Sequence, residues 1–204
     1  CSSDLLKDEN RALVLDTLPI WDESLTTAGA KVISERNAFI ARLSPLCEQA
    51  YSAISGGKEH IEVEGEQKFF GSEAEIKEQF TSALASRAER DIDLGYTSVG
   101  PHRDDLKIKV DGTEVKTYGS QGQQRTAALA LKLAETEIFK EKFGEYPVLI
   151  LDDAMSELDR PRRLRLIDMV KKFQTIITCT EPDCIPDYQR YKNICVSGGK
   201  IIKE

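Results

Sequence analysis

Three short segments of this 204-residue chain carry residue types that suit phosphate chemistry. The first is Pro147-Val-Leu-Ile-Leu-Asp152-Asp153, an apolar run that ends in two carboxylates. A strand holds its last side chain rigidly at the sheet end where open α/β sheets bind ligands. A carboxylate placed there suits a phosphate-bound Mg²⁺, which takes oxygen ligands and keeps several waters. Asp152 is the candidate metal ligand, and Asp153 is placed to orient or polarise a water, as nucleotide hydrolysis requires. The alternative is a strand that simply ends in acidic turn residues. The second segment is Ser156-Glu157-Leu158-Asp159, a polar loop before a helix. The third is Gly119-Ser120-Gln121-Gly122-Gln123-Gln124-Arg125, which opens an Ala/Leu-rich helix. A hydroxyl, a glycine, amide side chains and the positive end of a helix are the means by which a backbone grips phosphate oxygens. Read alone, it is also an ordinary capped helix start.

The elements around these segments follow from periodicity. Trp21, Leu25, Ala28, Val32, Phe39, Leu43, Leu46, Ala50 and Ile54 recur at three- and four-residue steps. They predict a long helix with one buried stripe, with a bend at Pro45 and an end at Gly56-Gly57. Trp21 reads as its packing anchor. His60–Glu64 alternates as a half-exposed strand, and Ser72 with Glu75 forms a capping box for a helix to about Ile92. Strands follow at Tyr96–Val99, Leu106–Val110 and, across the Asp111-Gly112 turn, Thr113–Thr117. A helix over about 123–142 leads to Pro147–Leu151, expected as a strand buried on both faces. A helix over about 160–172, a strand at Gln174–Cys179 and a terminal ribbon (Asn193–Val196, Lys200–Ile202) complete the chain. Strand–helix–strand order predicts an α/β fold, a parallel sheet flanked by helices. The division expected is a helical arm over 1–55 and an α/β head over 56–204.

Composition excludes several classes. With 40% hydrophobic and 31% charged residues the chain is neither disordered nor low-complexity, and its apolar runs are too short to span a membrane. The net charge of −7 argues against non-specific nucleic-acid binding, which needs clustered Lys and Arg. The deficit is local: residues 1–90 carry −6 and residues 91–204 only −1. Cys1, Cys47, Cys179, Cys184 and Cys195 show no C-x-x-C spacing and read as reduced, mostly buried thiols of a cytoplasmic protein. Four arginines in Arg160–Arg165 stand at a helix start, against the dipole preference, and read as a solvated face, with DNA phosphate as the alternative. Lys107 and Lys109 share a strand face that suits either a nucleic-acid backbone or a guarded edge. His102 and Arg103 read as an ion-pair turn with Asp104 and Asp105.

Taken in order, the motifs resemble one family. Tyr118-Gly-Ser-Gln-Gly-Gln-Gln-Arg-Thr126 is similar to the signature of ABC-type ATPase heads in the form used by the RecF family. Pro147–Asp153 resembles its Walker B strand and Ser156–Asp159 its D-loop. Gly100-Pro-His-Arg-Asp-Asp-Leu106, Ala127–Glu135 and Ile54-Ser-Gly-Gly-Lys58 extend the likeness over residues 15–200. It implies an ABC-type head in which two subunits sandwich ATP, with Ser120, Gln121, Gly122 and Gln123 facing the γ-phosphate in trans. Asp152 would hold Mg²⁺, Asp153 would take the place of the catalytic acid, and Ser156 and Asp159 would belong to the D-loop. The resemblance further implies binding of ATP and double-stranded, gapped DNA, an ATP-dependent homodimer, and loading of recombinase with RecR and RecO. Roles in replication, repair and the SOS response, and a weak DNA-dependent ATPase, belong to the same expectation. The sequence departs from the pattern at two points. No G-x-x-x-x-G-K-[ST] occurs, so the chain reads as the C-terminal part of such a protein and as inactive alone. Thr178 stands where many ABC heads place a switch histidine. Two alternatives remain: the head of another structural-maintenance-like ATPase, or a non-catalytic interaction module.

Overall fold

The computed structural model describes residues 8–181, 185, 187 and 190–203, with side chains between Thr17 and Ile202. Cys1 and Cys184 lie outside the described residues. The described residues divide into two compact units that alternate along the sequence: those up to 42 with 64–107, and 43–63 with those from 108 onward. Helix α1 (Asp8–Ser55) and strands β1 (Ile61–Gly65) and β2 (Leu106–Val110) pass from one unit to the other.

In the first unit, the N-terminal part of α1 packs with α2 (Glu73–Ala85). Ser72 and Glu75 close a reciprocal capping box at the start of α2, as their spacing requires. The core is Ala30, Ile33, Phe69, Ile76, Phe80, Leu84 and Val99, with the Phe69 and Phe80 rings 5.5 Å apart. The helix turns this face inward, and not the expected stripe. Trp21 is 68% exposed, and Leu25, Val32 and Phe39 are also open, while Thr26, Ala30, Ile33 and Ile40 are buried. Moving the inward face by one residue rotates it about 100° around the helix. Phe80 explains the choice: a Cβ at Gly29 would stand 2.5 Å from its ring, so α2 comes closest where α1 has no side chain. Trp21 is therefore not a packing anchor.

Two other expectations fail in this unit. The helix from Ser72 stops at Ala85, and a separate α3 (Ala88–Leu94) ends in left-handed Gly95. Residues 96–99 form no strand, because their backbone groups bond to side chains. The Ser98 N–H donates to Asp91, and the Thr97 carbonyl accepts from Arg103. The Pro101–Arg103 3₁₀ turn is not an internal ion-pair turn either. Asp104 pairs instead with Arg36 of α1 at 3.0 Å, and Arg36 also donates to the Pro101 carbonyl at 2.7 Å.

The second unit holds the α/β framework. Strands β1, β2 and β3 (Thr113–Glu114) form one sheet in that order, with Asp111 and Gly112 both left-handed in the tight β2–β3 turn. The chain leaves β3 after two residues, short of the expected Thr117. Val115 is buried and begins a single helical turn, α4 (Val115–Tyr118). Helix α5 (Gln121–Phe143) leads to β4 (Leu149–Asp152); α6 (Arg160–Val170) leads to β5 (Thr175–Thr178). Strands β4 and β5 pair in parallel, Asp152 opposite Thr178. An antiparallel ribbon, β6 (Cys195–Ser197) with β7 (Lys200–Lys203), closes the described chain.

Leu149 and Leu151 of β4 join the core with Ala130 and Leu133 of α5 and Leu166 and Ile167 of α6. The strand is not buried on both faces: Ile150 is 64% exposed, and Val148 and Ile176 are also open. Helix covers one face only among the described residues. The C-terminal part of α1 adds Leu43, Cys47, Ala50, Tyr51 and Ile54 to the same core. Two left-handed glycines, Gly56 and Gly57, end that helix, and both N–H groups return to the Ser52 carbonyl.

Of the cysteines described, only Cys47 is buried; Cys195 is exposed, so the thiols are not mostly buried as expected. Burial, reinforced by the charge of Glu48, pushes the Cys47 thiol up to about 12. Thiolate is the reactive form, so at pH 8 iodoacetamide should modify Cys195 and spare Cys47 in the native chain, as read by peptide mass spectrometry. Equal labelling without denaturant would contradict that burial. Phe80→Ala should cost about 3–5 kcal/mol of stability in urea unfolding, the usual range for emptying a buried phenyl site.

Candidate phosphate-facing site

Ser120, Gln121, Gly122 and Gln123 form the first turn of α5. Ser120 is the N-cap, with extended backbone. Its Oγ accepts from the Gln123 N–H at 3.2 Å, and Gln123 Oε1 accepts from the Ser120 N–H at 3.0 Å. The two N–H groups between them, on Gln121 and Gly122, have no partner within the helix by position. The Ser120 hydroxyl, having accepted one bond, keeps its own proton to donate. Two N–H groups, one O–H and the helix's positive end therefore face outward together, an arrangement that favours an anion. Gln124 secures the approach to this turn by donating to the Val115 and Gly119 carbonyls. Gly119 is required here, since a Cβ would stand 2.6 Å from the Val115 oxygen.

Asp152, Asp153, Ser156 and Asp159 lie at the end of β4 and in the loop before α6. The Asp152 carboxylate is exposed at the strand's C-terminal end and accepts from the Thr178 hydroxyl across the β4–β5 pair. That hydroxyl in turn accepts from the Asp153 N–H at 3.1 Å. Asp153 is left-handed, with φ +45°, a region that Asp tolerates better than most residues. Ser156 Oγ lies 3.1 Å from both the carbonyl and Oδ2 of Asp153, sharing its proton between them. Asp159 is the N-cap of α6 and accepts from the Arg162 N–H at 2.8 Å. Its carboxylate is thus committed to the helix start.

Among the described residues no three His, Cys, Asp or Glu converge as a metal site on their own. Mg²⁺ needs only one or two protein carboxylates when phosphate and water complete its shell, and the exposed Asp152 fits that demand. Thr178 occupies one oxygen of Asp152 and leaves the other available.

Three residues that the sequence reading left without a role tie these segments together. Arg125, inside the signature-like run, donates to the Asp153 carbonyl at 3.2 Å and pairs with Glu157 at 3.5 Å. Arg162 pairs with Glu59 at 2.8 Å, and Glu59 accepts from Gln123 at 2.8 Å. Three of the four arginines, Arg162, Arg163 and Arg165, are therefore not a solvated face, while Arg160 is exposed as expected. Arg163 donates to the Leu158 and Ser156 carbonyls, and Arg165 to the Ile54 carbonyl at the end of α1. Their internal partners offset the unfavourable dipole position. The only signal in the sequence was the anomaly itself, four cations where a helix start prefers acids. Lys109 sits 3.9 Å from Glu62 on the neighbouring strand.

No family model matches the chain. The DNA replication and repair protein RecF of Lachnoclostridium phytofermentans is 47% identical over 171 residues, covering 84% of this chain and 46% of that protein. Its namesake in Halothermothrix orenii is 46% identical over 187 residues, covering 88% of this chain and 50% of that protein. Two solved structures share the fold. One, of the recombination mediator protein RecF-ATPrS in the RecFOR pathway, superposes with a TM-score of 0.75 at 36% identity and covers 91% of this chain and 50% of the other. The other, of RecF-ATP, gives 0.70 at 39% identity, covering 82% and 46%. The chain thus spans about half the length of the relatives it matches. On this sequence and fold evidence, the chain belongs to the RecF family of DNA replication and repair proteins, with the α/β architecture of an ABC-type head.

Proposed function

We propose that this chain supplies the signature, Walker B and D-loop surfaces of an ATP-dependent DNA-repair dimer. In this reading the first turn of α5 contacts the terminal phosphate of a nucleotide carried by a second subunit. The Ser120 hydroxyl and the Gln121 and Gly122 N–H groups would donate to it. Asp152 would hold Mg²⁺, which when bound neutralises phosphate charge. Asp153, steadied by Ser156, would orient the attacking water. Thr178 holds Asp152 and the Asp153 N–H in place with a hydroxyl where an imidazole is common. The DNA partner, double-stranded with a gap, and assembly with RecR and RecO, follow from family membership and belong to the same proposal. So do the SOS-response role and a cytoplasmic site of action; no described helix is long and apolar enough to cross a membrane.

One observation carries the reading. The anion-facing turn and the carboxylate loop are joined through Arg125, within 3.2 Å of the Asp153 carbonyl, so both surfaces are held in one unit. A signature surface must be rigid to be read by a partner, and that contact supports it.

Two experiments follow. The 204-residue chain contains no P-loop sequence, so MgATP should leave its melting temperature unchanged; in a longer chain that has one, Ser120→Arg should abolish ATP-dependent dimerisation while nucleotide binding survives. Dimers that persist in the variant would sink the trans assignment. Separately, Thr178→Val removes the hydroxyl between Asp152 and Asp153 and should lower stability by about 0.5–1.5 kcal/mol in urea unfolding, the net worth of hydrogen bonds between exposed groups.

A further inference from the structure

Glu59 stands in the turn between α1 and β1, outside every segment read as phosphate chemistry. Its side chain is 20% exposed, and both of its oxygens are in use. Oε1 accepts from Gln123 Nε2 at 2.8 Å. Oε2 accepts from Arg162 at 2.8 Å and from the Tyr51 hydroxyl at 3.3 Å. Three donors from three helices thus meet on one carboxylate: the end of α1, the first turn of α5 and the first turn of α6. A carboxylate is the side chain suited to this place, because it only accepts. Tyr51 stays a donor, since burial and then the charge of Glu59 push its phenol up.

The consequence falls on Gln123. Its amide is nearly symmetric in shape but not in chemistry. The capping box needs the oxygen toward the Ser120 N–H. A flipped amide would set its NH₂ against that N–H and its oxygen against a carboxylate. The charge of Glu59 removes this alternative, because only the NH₂ end can face it. Arg162, held by the same carboxylate, also lies close to the turn: a Cβ added at Gly122 would be 3.2 Å from its guanidinium.

We propose that Glu59 is a positioning residue for the phosphate-facing turn. It orients the Gln123 amide, and so the Ser120 hydroxyl and the adjoining N–H groups, and it ties that turn to the helix that follows Ser156–Asp159. The role rests on the reading of the turn given above, but its test does not need nucleotide.

Hydrogen exchange of the 204-residue chain, followed by NMR, separates this role from simple packing. Glu59→Ala should speed exchange of the Ser120 and Gln123 amides at least threefold, with Leu133 in the middle of α5 changing less than twofold. Gln123→Glu should do the same, because two carboxylates would then face each other. The double variant Glu59→Gln with Gln123→Glu exchanges donor and acceptor and should return both amides to near the original rates. Should Glu59→Ala also speed Leu133, Glu59→Gln, which keeps the volume, becomes the deciding variant and should speed Ser120 and Gln123 alone. Exchange at those amides unchanged by that variant, or a swap that restores nothing, would overturn the role. Because nucleotide is absent, this failure is distinct from a failure of the Ser120→Arg experiment, which would remove the phosphate reading and leave Glu59 in place.

Discussion

A single carboxylate shared by three helices is the constraint on which the second unit depends. Arg162 and Tyr51 satisfy Glu59 from one side and Gln123 from the other. A partly buried carboxylate without partners would cost several kcal/mol in desolvation, so the three donors and the acceptor need one another. That mutual need fixes where α5 and α6 begin relative to the end of α1. Arg165 adds to it by donating to the Ile54 carbonyl, and its guanidinium fills the space where any side chain at residue 56 would lie. Gly56 is thus required twice, for its left-handed backbone and for that contact.

The same logic orders the site. The phosphate-facing role proposed for the first turn of α5 would rest on backbone groups and short side chains, none of which can reach far. Their value depends on supports set one layer back. Arg125 holds the carbonyl of Asp153, Thr178 holds Asp152, and Gln124 holds the approach to Ser120. Each support comes from a different element, so the site stays in register only while the sheet and its helices keep their packing.

Local chemistry was legible in the sequence where a rule acts over a few residues. The Ser72–Glu75 capping box, the Asp111-Gly112 turn and the parallel β4–β5 pair follow from spacing alone. What escaped depended on distant partners. The inward face of α1 was set by Phe80, fifty residues away, whose ring seeks the gap at Gly29. Arg162, Arg163 and Arg165 read as solvated because Glu59, Leu158 and Ile54 are not marked in the sequence as their partners. Strand β4 looked fully buried because its residues are uniformly apolar, yet helix covers only one of its faces among the described residues. Glu59 itself carries no local signal, because Gln123 and Arg162 stand 64 and 103 residues away in the sequence.

The left-handed backbone of Asp153 bears on how this site can change over evolutionary time. Aspartate and asparagine enter that conformation at little cost, whereas a longer acid would hold it under strain of about 1 kcal/mol or more. A glutamate would have a longer reach, but it would lose the short link to Ser156 and burden the turn. The short acid and the tight turn are therefore physically coupled. A lineage that exchanged one for greater reach would have to rebuild the other.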